Sequence, residues 1–559
     1  MAIESGIIEF ARACALCLVM AFVPVSATAA PDVRRGDAPE GPAPGGPLGL
    51  YAPDDFVVTS GDGSPLDPSP KLYFAKEWIA VPREGVPVAG FARGVIAPDD
   101  VRAWSATADA SSTPGARPPL VWIAAPERLR NARIAKDFKS VAIDNRVARL
   151  TLAPKLALNR SWFDATSDAY FAERPVALRG EWRGAAFEAR TLWPEDFRLD
   201  AAAALAPLPA DRPAAMALRD LVRADDGGAR KPFSTRVLWA RDDAARTWAG
   251  KPAIVVVLNG AQGDDDEAWA GHFAIATGRV GADGGLADFL VDNFYSLDVV
   301  SEKGILAAPV PLDNYLADLN SGQAWYRPSA LMVAVLADEA AAARVQGAFN
   351  RVYPQFWRHQ LPYQHSTMNC GGISVDTLRA LGLALPSNDP GIASIALAWL
   401  AVPWTLAKER SVSQARIAYE YLTQDRTRLF PAVAFETAGA ELLRLASSGA
   451  SPKAAEIERL LARDLEALVL VHVPQLPSSR AFGSWPVASP AEYHGKVPRD
   501  PQDVQIVPVP ARPFPSNLRE PDLLPEARRP SDLPFLVWGI VALAALAALV
   551  GWAWRRWVP

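Results

Sequence analysis

The sequence predicts an α+β protein with a β-rich front, an α/β body and an anchored C-terminal tail. Three observations predict it. Val176–Trp182 and Phe187–Trp193 alternate around Arg183-Gly184, the pattern of a β-hairpin. Ala253–Leu258 (Ala-Ile-Val-Val-Val-Leu) is an unbroken apolar run, as a buried strand requires, and segments of helical period follow it. Phe535–Trp554 is uncharged and apolar over about the 20 residues that a bilayer core demands.

From the N-terminus, residues 1–29 read as a signal peptide. The apolar run Cys14–Val25 follows Arg12, and Ala27-Thr28-Ala29 matches a small-x-small cleavage site. Glu4 and Glu9 weaken the basic start, so an uncleaved anchor is the alternative. Residues 30–50 are a Pro- and Gly-rich leader. Residues 51–200 form a β-rich accessory domain that includes Leu120–Ile123 and the hairpin. Asp54-Asp55 and Asp99-Asp100 read as solvated turns. An Ala/Pro stretch opens a linker over 201–230.

The body spans 231–471. Strands are expected at Ala253–Leu258, Gly271–Val280 and Leu286–Leu297, the last two joined through Gly281-Ala282-Asp283-Gly284-Gly285. Helices are expected near Asp338–Trp357, at Cys370–Gly382, Ile392–Arg410, Gln414–Leu422, Ala432–Ala446 and Pro452–Val471. Prolines recur through 472–534, an extended stalk that also carries His472 and His494, to which no role is given. The transmembrane helix is 535–554. Arg555 and Arg556 follow it and place the short tail 555–559 on the cytoplasmic side. The bulk of the chain then faces outward, which in a bacterium is the periplasmic side of the inner membrane. The 559 residues, half of them hydrophobic, allow two to four domains, and a net charge of -5 without a basic concentration argues against nucleic acid as a partner.

Chemistry concentrates at Ser366-Thr367-Met368-Asn369-Cys370-Gly371-Gly372. Thr367 or Asn369 caps a helix start and Gly382 ends the helix. Cys370 then stands in the first turn, where backbone N–H groups and the helix dipole stabilise a thiolate. It shares a face with Ser374, Leu378 and Leu381, so its sulfur points into the domain. Gly371 and Gly372 leave room for a substrate. The plain alternative is a small buried hydrophobe. Cys14 and Cys17 leave with the signal peptide, and a lone cysteine in an oxidising compartment favours a nucleophile.

A cysteine nucleophile needs a base. His272 alternates with Ala274, Ala276 and Gly278 on one strand face, small neighbours against which a Cys-bearing helix can dock, while Phe273 and Ile275 face away. Pairing Val280 with Leu286 puts Asp292 opposite Ala274 and within reach of His272 as an orienting group. A slip of one residue substitutes Asn293. Gln364 and His365 are weaker pocket candidates, and Gln364 and Asn369 candidate substrate or oxyanion contacts beside the Cys370 N–H. His359, His365 and Cys370 match no common zinc spacing, and the acidic run Asp264–Glu267 lacks calcium-loop spacing, so no metal or other cofactor is expected.

Gly271-His272-Phe273-Ala274-Ile275 followed about a hundred residues later by Asn369-Cys370-Gly371-Gly372 resembles a circularly permuted papain-like fold. It is similar to NlpC-type thiol hydrolases, to lecithin–retinol acyltransferase-like enzymes and to bacterial lyso-form lipoprotein acyltransferases of the Lnb type. The resemblance covers roughly 231–385. It implies Cys370 as nucleophile, His272 as base, Asp292 or Asn293 as orienting group, and a thioester acyl-enzyme. The expected function is a membrane-anchored envelope acyltransferase or hydrolase acting on lipid or lipoprotein acyl groups. The alternatives are a peptidoglycan amidase or peptidase, and a non-catalytic envelope scaffold with a vestigial thiol. The Trp-bearing segment Ile392–Leu406 either covers an acyl chain or is simply core.

Overall fold

Alternation and turn chemistry build the front of the molecule. In this computed structural model the described residues are 48–495, apart from 50–54, 61–77, 90–96, 108–115, 144–145, 154–164, 173, 225–231, 242–245, 261–269, 295–306, 320–326, 358–360, 362, 476–484, 490 and 493–494. Strands β1 (Phe56–Ser60), β2 (Trp78–Pro82) and β3 (Val121–Ala124) form a small antiparallel sheet, with helix α1 (Ala97–Thr107) between the last two in sequence. Strands β4 (Glu127–Ile134), β5 (Ser140–Ile143), β6 (Arg146–Leu152), β7 (Pro175–Arg183) and β8 (Ala186–Pro194) close a barrel in the order β4-β5-β6-β8-β7, and α2 (Ala165–Phe171) lies between β6 and β7 in sequence. The expected hairpin is β7–β8: Trp182 pairs with Phe187, and Gly184 turns the chain at a φ of 63° that favours glycine.

Residues 201–224 of the expected linker are part of the folded body. Ala206 N–H bonds the Val237 carbonyl at 2.8 Å, and α3 (Ala214–Arg223) follows. The body is one antiparallel sheet of seven strands: β9 (Ser234–Ala240), β10 (Pro252–Asn259), β11 (His272–Arg279), β12 (Leu290–Asp292), β13 (Val310–Pro311), β14 (Ser329–Leu336) and β15 (Leu465–Val473). Their spatial order is β13-β12-β11-β10-β14-β15-β9. Strands β10 and β14 are buried along their whole length, which is why they read as unbroken apolar runs. The helices are α4 (Leu312–Ala317), α5 (Ala340–Trp357), α6 (Cys370–Leu381), α7 (Ile392–Glu409), α8 (Val412–Thr423), α9 (Arg426–Leu429), α10 (Pro431–Ser448) and α11 (Glu456–Asp464).

Four further expectations change. The helix expected over Pro452–Val471 stops at Asp464, and Leu465–Val473 is a strand inserted between β14 and β9. A short apolar run suits a buried helix or a strand equally; the Val-rich end and two waiting neighbours decide it. The stalk start expected at 472 does not hold: His472 belongs to β15, and Trp485, Val487 and Ala488 are buried. Asp100 is not a solvated turn residue but a buried partner of Arg351, with two bonds of 2.8 Å. The strand expected over Leu286–Leu297 shrinks to Leu290–Asp292 among the described residues. The signal, the leader up to residue 47, the run Asp264–Glu267, His359 and the apolar run 535–554 lie outside the described residues. Among the described residues no helix is long and apolar enough to cross a membrane.

Candidate thiol site

Helix α6 starts where the sequence places it. Asn369 is the N-cap; its Oδ1 accepts from Gly372 N–H at 2.9 Å. Gly382 ends the helix at a φ of 100°. Cys370 is the first helical residue and is 5% exposed. The Asn369 amide also donates to the His365 carbonyl at 3.2 Å and to the Leu429 carbonyl at 3.0 Å, which ties α6 to α9. Gly371 has a packing reason rather than a substrate one: a methyl there would stand 3.0 Å from the Arg428 carbonyl oxygen. Arg428 in turn clasps Asp376 of α6 with bonds of 2.9 and 2.7 Å.

The loop before Cys370 is braced internally. Gln364 and Met368 exchange backbone bonds of 3.1 and 2.7 Å, and Gln364 Oε1 accepts from the Thr367 hydroxyl at 2.9 Å. His365 packs edge-on against Tyr363 at 5.2 Å. Asn369 and Gln364 thus spend polar groups on the cap and the loop.

On the sheet, Ile275 pairs with Asp292, Ala276 with Val291 and Thr277 with Leu290. This is the one-residue slip. Gly281 N–H closes on Gly285 at 2.8 Å, and Phe289 N–H closes on Leu286 at 3.1 Å, so two successive turns take up chain that a simple hairpin would pair. Val280 bonds Lys251 instead of Leu286, the N–H donating to the Lys251 carbonyl at 2.9 Å. Asn293 consequently shares the His272 face, and its Oδ1 lies 3.0 Å from His272 Nε2. Asp292 turns to the opposite face with Ile275 and is fully buried. Burial drives its carboxyl well above the ordinary aspartate range, and the Tyr353 hydroxyl pulls weakly the other way. Tyr353 also holds the Asn293 backbone, its hydroxyl accepting from the N–H at 2.8 Å.

Two polar neighbours of His272 escape the sequence reading. Asn259 pairs directly with His272 across β10 and β11; it accepts from the Tyr315 hydroxyl and donates to Ser329 Oγ at 2.9 Å. The Tyr315 ring lies 6.2 Å from the imidazole. A polar residue ending the apolar run Ala253–Leu258 was the readable signal for Asn259; Tyr315 left none, since only the register brings it near.

Helix α6 starts toward the end of the sheet where β10 and β11 pair Asn259 with His272. Ala432 and Phe435, early in α10, lie against Leu258, whereas Ala438 and Leu442 lie against Ile254 and Val256. Helix α10 therefore begins over the Asn259 end of β10, the end paired with His272. The Cys370 end of α6 is bound to α9, immediately ahead of that start. Helix α6 packs on β11. Its Leu378 and Leu381 share a small cavity with Ile275, so it docks over the Ile275 face and not, as expected, over Ala274. On the Ala274 face Gly278 admits the Phe289 ring, since a methyl there would stand 2.7 Å from its Cγ. Among the described residues no three His, Cys, Asp or Glu side chains converge as a metal ion would require.

No family model matches the chain, and no curated protein or solved structure matches it either.

Proposed function

We propose that the protein is a membrane-anchored cell-envelope cysteine acyltransferase or hydrolase that forms a thioester at Cys370 with the acyl group of a lipid or lipoprotein. The observation that carries this reading is the His272 Nε2–Asn293 Oδ1 bond of 3.0 Å, taken with Cys370 as the first residue of α6. With Asn293 Oδ1 accepting, Nε2 carries the proton and Nδ1 presents a lone pair. The helix start supplies N–H groups with no intrahelical acceptor, suited to a thiolate and to a carbonyl oxygen gaining charge. The resemblance to permuted papain-like enzymes supports the same assignment.

His272 takes the thiol proton, and Cys370 Sγ attacks the acyl carbonyl carbon. A C–S bond forms; the bond to the alcohol or amine leaving group breaks, and the imidazolium returns the proton to that group. An acceptor amine, hydroxyl or water then gives its proton to His272 and attacks the thioester, and the sulfur leaves.

A second reading has its own observation. Cys370 is 5% exposed and its helix lies over the Ile275 face, as suits a structural thiol in a scaffold protein. Alkylation of Cys370 against pH decides between them, on the full chain with Cys14→Ser and Cys17→Ser so that one thiol reports. An ordinary thiol titrates near ~8.5. The enzyme reading expects reactivity to persist well below that in the parent, to vanish in His272→Ala and to fall about three- to tenfold in Asn293→Ala, the worth of one hydrogen bond. A thiol that is inert, or that titrates alike in parent and His272→Ala, leaves the scaffold reading.

A further inference from the structure

Ten large apolar side chains are markedly exposed among the described residues, and four of them belong to one helix: Ile392 (87%), Ile395 (40%), Leu400 (57%) and Trp404 (48%) of α7. At about 100° per residue these four fall on one side with the exposed Ala396. Ala398, Ala401, Val402 and Thr405 are buried on the other. The segment read in sequence as either core or an acyl cover is thus core on one side only.

Helices α7 and α8 form a hairpin with its own small core of Ala398, Ala401 and Leu422, against which Tyr419 packs. Asp425 pins its base: Oδ1 accepts from Asn388 N–H at 2.8 Å, and Arg426 N–H bonds the Asn388 carbonyl at 3.0 Å. One side of the hairpin reaches the thiol loop, where Glu420 of α8 accepts from the Ser366 hydroxyl at 2.8 Å. The projection therefore stands beside the loop that leads into Cys370.

We propose that α7 lies along the surface of a lipid bilayer, with the stripe from Ile392 to Trp404 sunk into the interfacial layer. A bilayer is the fitting occupant for three reasons. The sequence carries the uncharged run Phe535–Trp554 followed by Arg555-Arg556, the composition of a membrane segment. Residues 496–534 can span no more than ~3.6 Å each, which keeps the described body within roughly 140 Å of that segment. And Trp404 is followed by Lys408 and Arg410, side chains that settle at a headgroup boundary, on a helix too short of apolar length to span. The inference stands whether or not Cys370 is reactive.

The full chain is reconstituted in vesicles of phosphatidylethanolamine and phosphatidylglycerol doped with a phosphatidylcholine that bears a diazirine high on one acyl chain. After illumination, lipid adducts are mapped by mass spectrometry. Adducts are expected within 392–404 as well as within 535–554. Ile392→Ser, Ile395→Ser, Leu400→Ser and Trp404→Ser together, with unchanged circular dichroism, are expected to remove the first set and keep the second. Adducts confined to 535–554 in the parent overturn the proposal, as do α7 adducts that survive the four substitutions. A parent without α7 adducts that sediments as a dimer, and that the four substitutions return to a monomer, overturns it in favour of self-association.

Discussion

Two adjacent residues show how much one backbone step decides. Asp292 and Asn293 were both placed in reach of His272, and the register hands the role to the amide and buries the acid. A carboxylate on the His272 face would hold a charge; Asn293 orients the ring without one. Asp292 pays for its position, because burial raises its carboxyl well above the ordinary range. The sign follows by linkage. A folded-state value above the unfolded one gives stability that is complete below the unfolded value, near ~3.9, and is lost as pH climbs through the folded value. Asp292→Asn cannot ionise and is expected to lose nothing over that interval. Denaturant midpoints of parent and variant should therefore draw apart as pH rises above about 4, the variant becoming the more stable. Curves that stay parallel across that range would show that Asp292 keeps an ordinary value.

Local chemistry made some elements legible. The α6 boundaries came from a cap residue and a glycine, both acting within one turn, and β7–β8 from alternation around a glycine turn. What sequence missed is non-local. The β11–β12 register depends on two stacked turns, β15 on a vacancy between strands, and the half-exposed α7 on what packs behind it. A single acid, Asp425, clamps the base of the α7–α8 hairpin. Burial pushes the Asp425 carboxyl up, but the Asn388 and Thr427 N–H groups and Arg379 outweigh it, so the net value lies below the ordinary range. Stability from such a group is present above the unfolded value and is lost as pH falls through the folded one. Asp425→Ala removes the α9 cap, worth about 1 kcal/mol, together with the Arg379 pair and the Asn388 clamp. Hydrogen exchange should quicken across 388–424 in this variant at neutral pH, and in the parent only in strong acid, while β10 and β14 stay protected. Equal protection of the hairpin in both proteins would mean that its own small core suffices.

At the scale of the whole molecule, an apolar core runs continuously from the barrel to the seven-stranded sheet, and buried charge pairs cross between the barrel and α4. Arg190 of β8 holds Asp318 just past α4 with bonds of 2.8 and 3.1 Å, and Arg179 of β7 holds Asp313 at 2.9 Å, all four side chains buried. Thr191 donates to Asn314 at 2.9 Å between them. Helix α4 also carries Tyr315, whose hydroxyl reaches Asn259 beside His272. The seam thus sets both how the front is mounted and how the His272 face is covered. Buried pairs are weak evidence for stability, but breaking one leaves an uncompensated charge. Arg190→Met alone is expected to cost about 3–5 kcal/mol of unfolding free energy. Arg190→Met with Asp318→Leu should recover most of that, since two well-packed apolar groups often replace a buried pair at little cost. If the single and double variants unfold at the same denaturant concentration, the Asp318 charge finds other compensation and the pair is not what mounts the barrel. If the double variant recovers stability yet slows Cys370 alkylation, the seam holds the candidate site in place as well as the fold, because α4 is the element that the two share.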